Sequence, residues 1–261
     1  MPILPMPILS LSRGAFGALL LAAATMAAAP ATAQKTPVDV ELVIAVDVSG
    51  SVDPAEARLQ RDGYYAALTN HKVVRAIQSG TLGRIGIVYM EWAGNHFQRT
   101  VVEWSLIGDG DAAEQFVARL ADVPVMTERW TSISGAIDYA MQLFEISPFR
   151  GTRRVIDVSG DGTNNNGRSV RVARDEALKT GVVINGLPIV NERPTIWGGS
   201  PERNLDLYYE DNVIGGPGSF MIVADGFEKF GDAILTKLIM EIAGTPRGEP
   251  TRYAAKMHSL K

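Results

Sequence analysis

The apolar run Val43-Ile44-Ala45-Val46 stops at Asp47 and gives way to Asp-Val-Ser-Gly-Ser. A strand covered on both faces needs such a run, and the switch to polar residues marks where the chain leaves a sheet. Upstream, Val38, Asp39, Val40 and Glu41 alternate apolar and acidic residues, as a strand entering that sheet would. Downstream, Asp53-Pro54-Ala55-Glu56 supplies an N-cap, a proline at the first helical position and an acid at the third. This predicts a helix, with breaks, to about Ser79, with Gly80 placed to end it.

The alternation continues along the chain. Residues 84–91 and 98–105 read as a hairpin joined through Trp92-Ala93-Gly94-Asn95. Phe116, Val117 and Leu120 sit at helical spacing within 109–122. Thr131 or Ser132 caps the next helix, which presents Ile137, Met141 and Phe144 on one face and stops before Pro148. Residues 153–159 predict a strand, 169–180 a helix, 182–189 a strand, 205–211 a short helix, 220–224 a strand and 227–243 an amphipathic helix. Residues 245–261 read as a solvated tail. Strands alternating with helices imply an α/β fold, a doubly wound, mostly parallel sheet flanked by helices, over residues 34–244. Ligands of such sheets bind beyond the carboxyl ends of strands, where the strand order reverses. Asp47 and Asp161 each lie just past one of the two most apolar strands, so central neighbouring strands would bring them together.

Residues 1–33 change the picture of where the protein works. They hold a single charge, Arg13, then an apolar segment from Ala15 and the triplet Ala31-Thr32-Ala33. This is the pattern of a cleavable secretory signal and predicts a periplasmic or secreted protein with no stable membrane span after cleavage. Loss of Arg13 takes the formal charge from −4 to −5, a mild acidity that argues against a nucleic-acid partner. The chain has no cysteine, which excludes thiol catalysis and cysteine-bound zinc. His71, His96 and His258 are too scattered for a histidine metal cluster.

Asp47, Ser49 and Ser51 occupy every second position, so in a locally extended backbone one carboxylate and two hydroxyls face one point. These are hard oxygen donors suited to Mg²⁺, Mn²⁺ or Ca²⁺. Ser and Gly after a strand are also ordinary turn composition. Two later segments bear on the choice: Trp130-Thr131-Ser132 puts a Thr at a loop-to-helix entry, and Asp161-Gly162 follows a second apolar strand. In this order and at these separations, the three segments resemble the metal-ion-dependent adhesion site (MIDAS) of von Willebrand factor A (vWA) domains, as in integrin I domains. More narrowly, the chain resembles an uncharacterised bacterial family of exported vWA-like proteins, the DUF1194-like proteins.

The resemblance implies a division of labour. Ser49 and Ser51 would bind the ion directly, Thr131 directly or through water, and Asp47 and Asp161 would hold metal-bound waters or replace one. Mg²⁺ is the ion implied, with Mn²⁺ or Ca²⁺ as alternatives, and a partner protein's exposed carboxylate would complete the shell. Ile133 and Ser159-Gly160 depart from the family pattern without removing a presumed ligand oxygen. Asp157 is expected to face a covering helix or its capping groups. The leading reading is a metal-dependent protein-binding module and not an enzyme; the alternatives are a metal-dependent hydrolase using the same site and a metal-free scaffold. Trp92 and Trp130 each stand where they would either rim the site or pack in the core. Residues 191–219 are expected to emerge beside the site, offering Arg193, Trp197 or Arg203 to a partner, or to cover the sheet edge with Leu205, Leu207, Tyr208 and Tyr209.

Overall fold

The computed structural model describes residues 34–190 and 202–244, together with the backbone of 251–254. The expected signal segment, Arg193 and Trp197 lie outside the described residues. β1 (Thr36–Asp47) has apolar side chains on both faces. Val40, Leu42, Ile44 and Val46 enter one core, and Val43 and Ala45 the other. Only a strand flanked on both edges and covered on both faces can bury such a sequence, and β1 has that place.

The remaining elements follow in order: α1 (Pro54–Leu68), α2 (His71–Gln78), β2 (Ile85–Trp92), β3 (Gln98–Ile107), α3 (Gly110–Ala121), α4 (Ile133–Ile146), β4 (Phe149–Gly160), α5 (Val170–Lys179), β5 (Val182–Val190), α6 (Leu205–Asn212), β6 (Phe220–Asp225), α7 (Phe230–Ala243) and β7 (Thr251–Ala254). The strand order is β3-β2-β1-β4-β5-β6-β7. β3 runs antiparallel to β2, and every other pairing is parallel. One core holds residues of α1, α2, α3 and α7, and the other residues of α4, α5 and α6. The doubly wound α/β sheet is therefore the fold of this chain.

The capping signal at Asp53 is realised in full. Its carboxylate accepts from the N–H groups of Ala55 and Glu56, and the Glu56 carboxylate accepts from the Asp53 N–H. Gly63 lets α1 lie close on α7, since a Cβ there would stand 2.7 Å from Cδ1 of Phe230. Two expectations differ. The segment read as a solvated tail contributes β7, which pairs in parallel with β6 at Phe220 to Val223; four residues are too few to carry a periodic signal. Leu207 is exposed, whereas Leu205 and Tyr209 are buried against the sheet.

Candidate metal centre

The chain winds from β1 outward to β2 and β3 and returns to the other side at β4, so the strand order reverses between β1 and β4. Their register sets Val46 beside Ser159, which brings Asp47 and the Asp161 loop out together at the carboxyl edge. Asp47 forms the floor. It is fully buried, and its Oδ1 accepts from the Ser49 N–H at 2.7 Å. Above it, the Ser49 and Ser51 hydroxyls lie 3.0 Å apart, and the Ser51 hydroxyl donates to Asp161 Oδ1 at 2.5 Å. Thr131 closes another side: its Oγ1 lies 3.4 Å from where a Cβ of Gly162 would stand. The structure thus gathers Asp47, Ser49, Ser51, Thr131 and Asp161 around one crevice.

Three asparagines hold this arrangement. Asn164 Oδ1 accepts from the Ser134 N–H, Asn165 Oδ1 from the Thr131 N–H and Asn166 Oδ1 from the Asn95 N–H, all within 2.9 Å. The loop after β4 is thereby stitched to the start of α4 and to the turn between β2 and β3. Glu91 fixes the neighbouring loop. This buried carboxylate pairs with Arg61 and Arg99 at 2.6 Å each, and both arginines donate to the Pro124 carbonyl. Glu128 can then donate its N–H to the Val48 carbonyl and extend β1 past Asp47. The density of side-chain acceptors after Asp161 was the one sequence signal for this scaffold.

The electrostatics of the crevice are unbalanced. Burial, and then the charge of Asp161, hold the Asp47 carboxyl well above the usual carboxylate range, against the opposing hydrogen bonds from Ser49. Burial also raises Asp161 to about 6, with the Ser51 hydroxyl opposing and Glu56 and Glu202 adding to the rise. Among the described residues neither carboxylate has an ion-pair partner, and the buried Oδ2 of Asp47 has no hydrogen-bond partner. A Cβ at Gly160 would meet that Oδ2 at 2.7 Å and the buried Tyr209 hydroxyl at 2.9 Å, so glycine is what leaves this pocket open. Among the described residues no three His, Cys, Asp or Glu side chains cluster as a metal site. The donors are two carboxylates and hydroxyls, a set that suits a hard divalent cation.

Other candidates separate clearly. Trp92 is fully buried, whereas Trp130 is exposed. Asp157 faces α7, where Lys237 meets it at 2.5 Å, and stands apart from the crevice. Arg203 is exposed at the start of α6.

The doubly wound sheet with one antiparallel edge strand is a von Willebrand factor A-like fold. Residues 37–246 match the family described as "Protein of unknown function (DUF1194)", and the chain belongs to that family. No curated protein matches the chain. Among solved structures, the pilus adhesin SpaC of Lactobacillus rhamnosus GG is similar at 13% identity and a TM-score of 0.56, over 80% of this chain and 31% of that one. Proximal thread matrix protein 1 from the mussel byssus, in a structure described as having a zinc-occupied MIDAS motif, is similar at 13% identity and a TM-score of 0.53, over 80% and 49%. An aerotolerance-related membrane protein from Bacteroides fragilis is similar at 18% identity and a TM-score of 0.51, over 77% and 99%. The chain spans about half or less of the structures first matched. Among the described residues no helix is long and apolar enough to cross a membrane.

Proposed function

We propose that this chain is an exported, divalent-metal-dependent binding module that captures a carboxylate of a partner protein at the crevice between β1 and β4. The observation that carries the reading is the buried Asp47, with one carboxylate oxygen unpartnered beside a second raised carboxylate, Asp161. Two buried acids without a counter-charge are costly unless a cation completes them. Ser49, Ser51 and Thr131 would hold the ion, with Asp47 and Asp161 behind them. Mg²⁺ supplies an electrophilic centre that retains exchangeable positions, and an acidic side chain is the natural occupant of one. With neutral hydroxyls as its nearest protein donors, the ion keeps most of its charge for the incoming group. The MIDAS-bearing mussel protein and the pilus adhesin, similar in fold, support a role in binding.

Calorimetric titration with Mg²⁺ and thermal unfolding test the metal. The two cores bury their apolar side chains without help from the ion, so chelator should leave the domain folded. Mg²⁺ at a hundredfold excess over Kd should add about 2.7 kcal/mol. Global unfolding on chelation, or no response to Mg²⁺, Mn²⁺ or Ca²⁺, contradicts the reading, as does Mg²⁺-dependent turnover of p-nitrophenyl phosphate. Export is tested separately: mass spectrometry of protein from the source cell should find the mature chain beginning near Gln34, and a chain beginning at Met1 or Met6 refutes it.

A further inference from the structure

Trp130 is 55% exposed beside the crevice, next to Thr131, and its φ is +68°. A bulky side chain seldom adopts that backbone region, and it does so only where its surroundings enforce it. The enforcement is visible on both sides. The Thr131 N–H donates to Asn165 Oδ1 at 2.8 Å, and the Thr131 carbonyl accepts from the N–H groups of Asn165 and Asn166. The Ser132 N–H donates to the Ala93 carbonyl at 2.7 Å. Gly94 packs so closely that a Cβ there would stand 2.8 Å from the Arg129 carbonyl and 3.2 Å from Trp130 Cβ. Arg129 lays its guanidinium over the indole at 5.6 Å from the ring centre. The same bonds that seat Thr131 in the crevice therefore hold an indole out in water, where core packing gains nothing from it.

We propose that Trp130 is a specificity residue: the crevice takes a protein segment in which an Asp or Glu adjoins a bulky apolar side chain, which packs on the Trp130 indole. This rests on the metal-dependent capture argued above and adds a second contact to it. Glu56 and Glu202 make the surroundings of Asp161 acidic, and Arg129, stacked on the indole, sets a cation beside Trp130 that favours an acidic partner. Tryptophan and arginine are both enriched among binding hot spots.

Acetate and 3-phenylpropionate serve as probes, titrated by NMR and by tryptophan fluorescence with saturating Mg²⁺ and again with chelator. In the wild type, 3-phenylpropionate should bind about tenfold more tightly than acetate, the difference one aromatic contact supplies. Trp130→Ala should remove that preference while changing the Kd for Mg²⁺ and for acetate by no more than about twofold. Trp130→Phe should keep most of it, which separates loss of the ring from disturbance of the loop. Equal binding of the two carboxylates, or a preference that survives Trp130→Ala, overturns the proposal and leaves metal-dependent capture standing. A preference unchanged by chelator also overturns it, since the indole then acts independently of the crevice. If Mg²⁺ or both carboxylates fail to bind, the functional reading falls and takes the proposal with it.

Discussion

Lys237→Met is expected to lower the unfolding free energy by about 3–5 kcal/mol at pH 8, the cost of leaving buried charges without their partner. Lys237 is fully buried on α7, contacts Glu241 one turn on, and reaches Asp157 on β4. Asn185 donates to the same Glu241 oxygen that Lys237 contacts. Burial, then the charge of Asp157, push Glu241 up to about 7 against the pull of Lys237, and burial raises Asp157 despite the same lysine. The folded chain thus holds protons here that the unfolded chain, with ordinary carboxyls near 4.5, has already released. Stability from this cluster is therefore highest at or below that range and falls as pH rises toward 7. Without Lys237 both carboxyls move further up, so the deficit should be large at pH 8 and should shrink toward pH 5, where both can be neutral. Urea unfolding at the two pH values measures this. A deficit below about 1 kcal/mol at pH 8, the range of an ordinary surface change, shows that the cluster is not the electrostatic tie between α7 and the sheet. A deficit equal at both pH values points to lost packing instead.

Asp47→Asn should act in opposite directions on binding and on stability. In the proposed role the carboxylate orients what the ion holds, and losing such a group weakens metal affinity by about 10–100-fold. The metal-free domain should at the same time become more stable near neutral pH, because burial holds the Asp47 carboxyl well above its usual range, so that folding there costs either a buried charge or the uptake of a proton, and a neutral amide of the same shape costs neither. For a domain of this size each kcal/mol gained raises Tm by about 2–4 °C. Calorimetric titration with Mg²⁺ and thermal unfolding in chelator give the two readouts on one protein sample. A variant that binds Mg²⁺ as the wild type does, or that is less stable without metal, removes Asp47 from the role assigned to it. The proposed function makes this trade: the site holds a destabilising arrangement that its ion relieves.

The chain by itself determined the fold class and put Asp47 and Asp161 at the carboxyl ends of two neighbouring strands. The apolar run of β1 admits only a central strand, and the capping box at Asp53 starts α1 at the residue expected. These are local facts, carried by neighbours a few positions apart, and local periodicity and capping survive folding unchanged. Asp157 could be assigned to a covering helix on the same grounds, but not to Lys237, which lies far along the chain. Trp92 and Trp130 looked alike in sequence, each beside the end of an element. Tertiary structure separated them: Trp92 ends a strand buried under α4, and Trp130 is held at positive φ by hydrogen bonds to the loop after β4. The three asparagines, the Glu91 pairs and the strand β7 were hidden for one reason. Each depends on which segments meet, and contacts between distant segments leave no period in the sequence for a local pattern to reveal.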